Sequence, residues 1–445
     1  MYKRQAYLLA KAPNPALEEK MDRLIDTIAE HQEQCGYFNS YFQVEEPEQK
    51  FCRRTDHELY CAGHLMEAAV AYQEATGKDQ FLKMMCRYAD YIEKKFKLEN
   101  SAKFTTPGHE EIELALVRLY HATGEKRYLD LSLFFINQRG QNGKDLEKFY
   151  DFANAKYTQD HLPVREQTTA EGHAVRAVYL YCAMADLAME TNDQALHSAC
   201  KTIFSNITGK RMYVTGSIGS TSEGEAFTYD YDLPNLTAYA ETCAALGLAL
   251  FGRRMSLLGA DALYGDTVER ALYNGFLSGV SLDGKSFFYE NPLEIDPRLH
   301  QRNSSTKTAF RLPIMQRKEV FDCSCCPPNV LRLIASLGDF LYSQTGDTLF
   351  VHHYMDSETH TVGADIRQQT SYPSDGEVFL RISGGFSAVA LRIPGWCTDF
   401  TLDRPYTLKD GYAYITKSET ELTLRLHLSM PVCLELCIRD RDNTG

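Results

Sequence analysis

Helical segments that stop on a glycine or an asparagine recur along most of this chain, and that recurrence limits the folds open to it. One segment runs Gly63-His64-Leu65-Met66-Glu67-Ala68-Ala69-Val70-Ala71-Tyr72 and stops at Ala75-Thr76-Gly77. A second opens at Gly108-His109-Glu110-Glu111-Ile112-Glu113 and stops at Ala122-Thr123-Gly124, and a third runs from Gly172-His173-Ala174-Val175-Arg176-Ala177 to Thr191-Asn192. A later one opens at Cys325-Cys326 and reads through to Thr345-Gly346. Glycine and asparagine tolerate the left-handed backbone that ends a helix. A further helical pattern follows these stops, as in Phe81 to Phe96 and Tyr128 to Arg139. The result is a degenerate repeat of helical hairpins, roughly 45 to 70 residues each. Closed into a ring, the hairpins bring their first-helix starts to one face, around a cleft lined by His64, His109, His173, Glu241 and the Cys325 region. An open solenoid with unrelated caps is the alternative.

From about Leu349 the period changes from helical to two. Leu422, Leu424, Leu426 and Leu428 alternate with Glu421, Thr423, Arg425 and His427, and Val378 to Ile382 and Ala388 to Ile393 are also strand-like. Gly384-Gly385, Pro394-Gly395 and Asp410-Gly411 supply turns. The chain therefore reads as a helical domain at 1–345 and an antiparallel β-sandwich domain at 346–445. It ends soon after the apolar run Val432-Cys433-Leu434-Glu435-Leu436, so further β structure is expected beyond it.

Composition removes several function classes. A net charge of -13 in 445 residues is the reverse of a nucleic-acid footprint. No run of about 18 apolar residues is present for a membrane span, and Met1-Tyr2-Lys3-Arg4-Gln5 is not a secretory leader. The 13 cysteines are irregularly spread and odd in number, unlike a disulfide framework. Reduced thiols in a cytoplasmic compartment are the expectation, most of them small core residues like Cys182.

Chemistry concentrates in Cys323-Ser324-Cys325-Cys326-Pro327-Pro328-Asn329 and in Glu241-Thr242-Cys243. Thiolates and a carboxylate suit zinc. Glu241 and Cys243 diverge on a regular helix but can reach one ion from a half-formed first turn. With Cys325 and Cys326 they give three thiolates and one carboxylate. The spacing matches no common zinc finger, so a catalytic metal, a structural staple and plain buried thiols all stay open. Helix starts favour anions, and Pro327-Pro328 suits an opening turn. The Gly/Ser-rich stretch Tyr213-Val214-Thr215-Gly216 through Gly224-Glu225-Ala226-Phe227 reads as an active-site loop. Its Glu225 reads either as a solvated carboxylate or as a general acid with a raised pKa. His64, His109 and His173 fall at equivalent repeat positions and suit hydrogen bonds to sugar hydroxyls. Tyr289 reads as core or as a further hydroxyl in the cleft.

Taken together, these motifs resemble the β-L-arabinofuranosidase family of glycoside hydrolases, family 127, related to family 146. Cys61-Ala62-Gly63-His64 belongs to the likeness, which runs from near residue 6 to beyond residue 430. The resemblance implies an (α/α)6 barrel followed by an antiparallel β-sandwich. It implies zinc (Zn2+) as cofactor, held by Glu241, Cys243, Cys325 and Cys326. Cys325 would be the nucleophile of a retaining hydrolysis and Glu225 the acid/base, with His64, His109, His173 and Tyr289 contacting the sugar. The partner implied is an arabinose-containing oligosaccharide or glycoside. A homodimer is left open, and neither nucleic acid nor membrane is expected. Family members carry more residues ahead of Ala6-Tyr7-Leu8-Leu9 and more β structure at the end, so an incomplete barrel and sandwich are expected here. Two rivals stand beside this reading: a metal-free barrel sugar epimerase or unsaturated-uronide hydrolase, and a non-catalytic zinc-stapled glycan-binding scaffold.

Overall fold

Two kinds of helix alternate along the first two thirds of the chain, and their burial tells them apart. The computed structural model describes residues 2–141, 154–296, 316–319, 325–361 and 363–432. In chain order the helices are α1 (Tyr2–Lys11), α2 (Pro15–His31), the short α3 (Ser40–Val44), α4 (Glu58–Thr76), α5 (Gln80–Glu93), α6 (Ile112–Thr123), α7 (Lys126–Gln138), α8 (Ala174–Thr191), α9 (Gln194–Asn206), α10 (Thr242–Leu258), α11 (Ala262–Arg270) and α12 (Cys326–Ala335). In α8 the run Ala174 to Ala185 is buried on every side, and α4 and α10 are nearly as enclosed. In α2 only Met21, Ile25 and Ile28 are buried, one stripe at helical spacing.

The enclosed helices form the inner wall. α1 packs on α4, α4 on α6, α6 on α8, α8 on α10 and α10 on α12, and α12 packs back on α1. The ring is closed, which decides against the open solenoid. α2, α5, α7, α9 and α11 lie outside it, each against its inner partner. Gly77, Gly124 and Asn192 end α4, α6 and α8 with φ of 75°, 74° and 53°, as the stops in the sequence predict. The fourth stop differs. α12 ends at Ala335, and Thr345-Gly346 is the tip of a hairpin between β3 (Tyr342–Thr345) and β4 (Thr348–Val351). Here the period-two pattern begins earlier than the sequence reading placed it.

A two-stranded ribbon of β1 (Ser286–Phe287) and β2 (Lys318–Glu319) precedes α12. The remaining strands are β5 (Ser357–Thr361), β6 (Ala364–Thr370), β7 (Glu377–Gly384), β8 (Ala388–Arg392), β9 (Phe400–Leu402), β10 (Thr407–Lys409), β11 (Tyr412–Thr416) and β12 (Glu421–Leu428). They form the expected sandwich, with one sheet ordered β10-β11-β8-β4-β3 and the other β5-β6-β7-β12-β9. One pair departs from the antiparallel rule: β4 lies parallel to β8, Thr348 opposite Ala388. Leu422, Leu424, Leu426 and Leu428 all point inward, each contributing about 1.5–3 kcal/mol by burial. The apolar run from Val432 lies outside the described residues after its first residue.

A buried guanidinium locks the two domains together. Arg392, at the end of β8, pairs with Asp266 and, at 2.5 Å, with Glu269, both on α11. Tyr372 Oη donates to Glu269 at 2.6 Å, and the Gly395 amide donates to Asp266 at 2.9 Å.

Candidate active site

Glu241, Cys243, Cys325 and Cys326 each occupy the opening of a helix. Glu241 is the extended residue before α10, with ψ of 137°, and Cys243 lies in the first turn. That break from helical geometry lets two residues two apart face one point. The segment holding Tyr289 runs beside them: the Thr242 amide donates to the Tyr289 carbonyl at 3.0 Å, and Asn291 Nδ2 donates to the Ala240 carbonyl at 2.9 Å. Cys325 precedes α12 and Cys326 begins it, with proline following in the first turn. Cys323 lies outside the described residues.

One donor atom from each of these four side chains lies within 4.8 Å of the others. Cys243 Sγ is 3.2 Å from Cys326 Sγ, Cys326 Sγ is 3.6 Å from a Glu241 carboxylate oxygen, and Cys325 Sγ is 3.7 Å from Cys326 Sγ. Ligands about 2.3 Å from a tetrahedral zinc stand roughly 3.7 Å apart, so the group fits such an ion. Its chemistry agrees. Burial pushes Glu241 and Cys326 well above their ordinary pKa values, and contact with Cys325 together with burial does the same to Cys243. Three potential anions so enclosed resist ionising until a cation joins them. Glu241, Cys243 and Cys326 are buried, whereas Cys325 is exposed.

Asn329 links this group to the barrel interior. Its Nδ2 donates to Cys243 Sγ at 3.2 Å, and its Oδ1 accepts from Tyr179 Oη at 3.1 Å. Arg332 then donates to Tyr179 Oη at 3.3 Å and reaches Glu67 at 3.4 Å. Asn329 stands three residues after Cys326 on the same helix, a spacing that marks a shared face.

Glu225 projects from the Gly/Ser loop with φ of 53°, a left-handed backbone costing on the order of 1–3 kcal/mol for a residue with a side chain. The Ser220 and Thr221 amides bond the Ala226 carbonyl, and the Phe227 amide bonds the Gly172 carbonyl, which pins the loop beside the start of α8. Tyr239 Oη donates to Glu225 at 2.6 Å, and His173 Nε2 lies 3.0 Å from its other oxygen. A Glu225 oxygen is within 4.8 Å of one on Glu241. The raised pKa in one of the two readings of Glu225 is not found. Burial does push it up, but the His173 and Tyr239 donors outweigh that and hold it below its ordinary value.

The three histidines share one wall. His173 caps α8. His109 sits in the loop before α6, its ring centroid 6.0 Å from that of His173. His64 is not at a helix start, because α4 already begins at Glu58. It lies in the second turn and pairs through Nδ1 with the buried Glu111 at 2.7 Å. Gly63 permits this approach, since a Cβ there would stand 2.8 Å from Glu111 Cγ. Tyr60, one turn before His64, bridges the histidines with ring centroids 4.4 Å from both His64 and His109. Arg176 donates to the Gly108 carbonyl beside His109. Burial and that guanidinium hold His109 well below its ordinary pKa, and burial chiefly lowers that of His173. Both rings are neutral. Tyr289 is nearly buried, its ring perpendicular to that of Tyr239 at 5.9 Å. Tyr239, Tyr60 and Asn329 escaped the sequence reading as site residues.

A closed ring of helical hairpins, with a thiol and a carboxylate at the open end of its inner wall, is the frame of a helical-barrel glycoside hydrolase. Residues 2–339 match the model of the β-L-arabinofuranosidase GH127 catalytic domain, and residues 348–431 match the GH127 middle domain. The chain belongs to the β-L-arabinofuranosidase family, glycoside hydrolase family 127. It is 38% identical to a non-reducing end β-L-arabinofuranosidase of Bifidobacterium longum, over 96% of this chain and 69% of that protein. The crystal structure of a GH127 β-L-arabinofuranosidase from Geobacillus stearothermophilus T6 superposes with a TM-score of 0.90 at 44% identity, covering 100% of this chain and 73% of the other. A second GH127 β-arabinofuranosidase structure gives 0.84 at 36% identity, covering 97% and 70%. No helix among the described residues is long and apolar enough to cross a membrane.

Proposed function

We propose that this chain is a retaining glycoside hydrolase that releases β-L-arabinofuranose from the non-reducing end of a glycan, with Cys325 as nucleophile and Glu225 as acid/base. The observation that carries the reading is the asymmetry of the four-donor group: three members are enclosed and Cys325 alone is exposed, while a second carboxylate, Glu225, stands within 4.8 Å of Glu241 and near enough to Cys325 for the two charges to interact. Glu241, Cys243, Cys325 and Cys326 would hold zinc, which when bound supplies the positive charge that keeps the Cys325 sulfur deprotonated at neutral pH.

In the first step the Cys325 sulfur attacks the anomeric carbon, the glycosidic C–O bond breaks, and the leaving oxygen takes the proton of Glu225. This leaves a thioether between Cys325 and the sugar. In the second step water attacks the same carbon, Glu225 takes the water's proton, and the C–S bond breaks with sulfur leaving as thiolate. Two displacements retain the configuration. Glu225 is ionised in the free protein, so the first step needs its affinity for protons to rise when the sugar arrives. Desolvation on binding acts in that direction. His173 and Tyr239 aim the carboxylate, while His64, His109 and Tyr289 are placed to meet sugar hydroxyls.

The test is hydrolysis of p-nitrophenyl β-L-arabinofuranoside, with the anomer of the first product followed by NMR and zinc quantified in the same sample. The β-anomer first, with about one zinc per chain, is expected. An α-anomer first, or full turnover by Cys325→Ala, removes Cys325 from the nucleophile role.

A further inference from the structure

A cleft of about 490 Å3 opens on the flank of the barrel where α11 meets the sandwich, within the ~300–1,000 Å3 usual for small-ligand sites. Its wall carries the chain's single tryptophan, Trp396, 37% exposed, with Leu263 at 41% and Met430 at 40% beside it. The Trp396 and Tyr372 rings are nearly parallel, 19° apart with centroids at 6.4 Å. Both polar edges turn to one acceptor: Trp396 Nε1 donates to Glu269 at 3.3 Å and Tyr372 Oη at 2.6 Å. Glu269 is itself fixed by the buried Arg392. The buried Tyr372 ring thus backs the indole, whose polar atom is engaged and whose exposed surface is left for a ligand.

The rest of the lining is polar. Among the described residues, the Arg270 guanidinium, the Asn274 amide and the Tyr273 hydroxyl make no hydrogen bond or ion pair, and all three line the cleft. A purely apolar ligand would strand these groups. A sugar ring does not, because it offers C–H faces to aromatic rings and a rim of hydroxyls to such donors and acceptors. The cleft also adjoins the loop that carries Glu225. Gly216 of that loop lies so close to α11 that a Cβ would stand 2.6 Å from the Ala271 nitrogen.

We propose that this cleft is a second saccharide-binding site, separate from the cleavage site, which holds an oligosaccharide chain on the Trp396–Tyr372 platform through Arg270, Asn274 and Tyr273. It rests on the proposed function only for the choice of ligand. The lone tryptophan makes it directly testable. Titrating the protein with a β-L-arabinofuranosyl trisaccharide should change Trp396 emission saturably, and the same change should appear in His109→Ala, which weakens only the cleavage site. Arg270→Ala/Asn274→Ala should weaken the binding at least fivefold while leaving turnover of the p-nitrophenyl monosaccharide unchanged. The exposed Asn274→Ala alone, expected to weaken binding at least twofold, replaces the double variant if that does not fold. No saturable emission change in the unaltered protein overturns the proposal, as does a change lost in His109→Ala and kept at full strength in the Asn274 variants. Emission needs no turnover, so a chain that binds in this way but cleaves no β-L-arabinofuranoside refutes the proposed function and leaves the second site standing.

Discussion

His173 Nε2 stands 3.0 Å from Glu225, and the Nδ1 of the same ring accepts the Arg176 amide at 3.3 Å. One nitrogen is therefore an acceptor, and the neutral ring must carry its proton on the other. His173 is a fixed donor to Glu225, with Tyr239 as the second. This pair explains why the carboxylate is held low despite its burial.

Removing one donor should move the alkaline limb of catalysis. Tyr239→Phe keeps the ring and deletes the 2.6 Å hydrogen bond to Glu225. A carboxylate with one donor fewer is less stabilised as an anion, so its pKa rises. If Glu225 is the proton donor, the alkaline limb of kcat/KM shifts to higher pH. A pH–rate profile of the variant that shifts downward, or not at all, rules out this control of Glu225.

The four donors should not be equivalent to mutation. Cys243 and Cys326 are enclosed, so Cys243→Ala or Cys326→Ala should lower zinc content and Tm together. Cys325 is exposed and packs little, so Cys325→Ala should abolish turnover while Tm falls less than in the other two. Metal analysis and thermal melts of the three variants check this. Equal Tm losses in all three would mean that Cys325 is as structural as its neighbours. Chelation of the unaltered protein should reproduce the Tm loss of the buried pair.

Asn329 should matter to the metal without touching it. Its amide orients Cys243 and is itself fixed by Tyr179, and partners of this kind typically contribute 10- to 100-fold in affinity. Asn329→Ala is expected to weaken zinc binding by that order in competition with a chromogenic chelator. An unchanged affinity would show that the contact is incidental.

Much of this was legible in the sequence, and what was not has physical reasons. Gly77, Gly124 and Asn192 announced three helix ends because few other residues tolerate their backbone. The donor set was readable because thiols and a carboxylate at helix starts are rare. Ring closure was read from the repeat and from the family resemblance, not from any local signal, since α1 and α12 meet across about three hundred residues. Tyr239 gave no periodic signal. Tyr60 and Asn329 did, one turn from His64 and Cys326, but helical spacing alone does not separate a site residue from core. Thr345-Gly346 looked like a helix end because a hairpin tip needs the same left-handed glycine. The buried ion network in which Arg139 meets Glu110 at 3.0 Å and Glu113 at 3.2 Å, with Arg54 on Asp160 at 2.7 Å, joins residues as far as 106 positions apart, so it too left no local trace.

The seam between the domains offers a stability test. Arg392 is fully buried against Asp266 and Glu269, and removing one partner of such a set leaves uncompensated buried charge. Arg392→Met should cost about 3–5 kcal/mol by urea unfolding, with the transition visible in Trp396 emission because that indole is bonded to Glu269. A loss under about 1 kcal/mol would mean that water reaches the pair.

Asp230 gives a pH-dependent prediction whose sign can be fixed in advance. It accepts from Asn206 Nδ2 at 3.0 Å, Lys210 Nζ at 2.9 Å and Arg211 Nε at 2.8 Å, tying the end of α9 to the segment that follows Glu225. Burial works to raise its pKa, but these three donors prevail and bring it down to about 2 from an ordinary 3.8. The folded chain therefore binds this proton less readily than the unfolded chain. The stabilisation is complete above about pH 4, shrinks as pH falls from there towards 2, and is absent below that. Allowing for its partial exposure, it amounts to about 1–2 kcal/mol. Asp230→Asn should lower Tm by a few degrees at pH 7, and the gap to the unaltered protein should narrow at pH 3. A gap as wide at pH 3 as at pH 7 would show that the asparagine acts through packing and that the Asp230 charge contributes nothing.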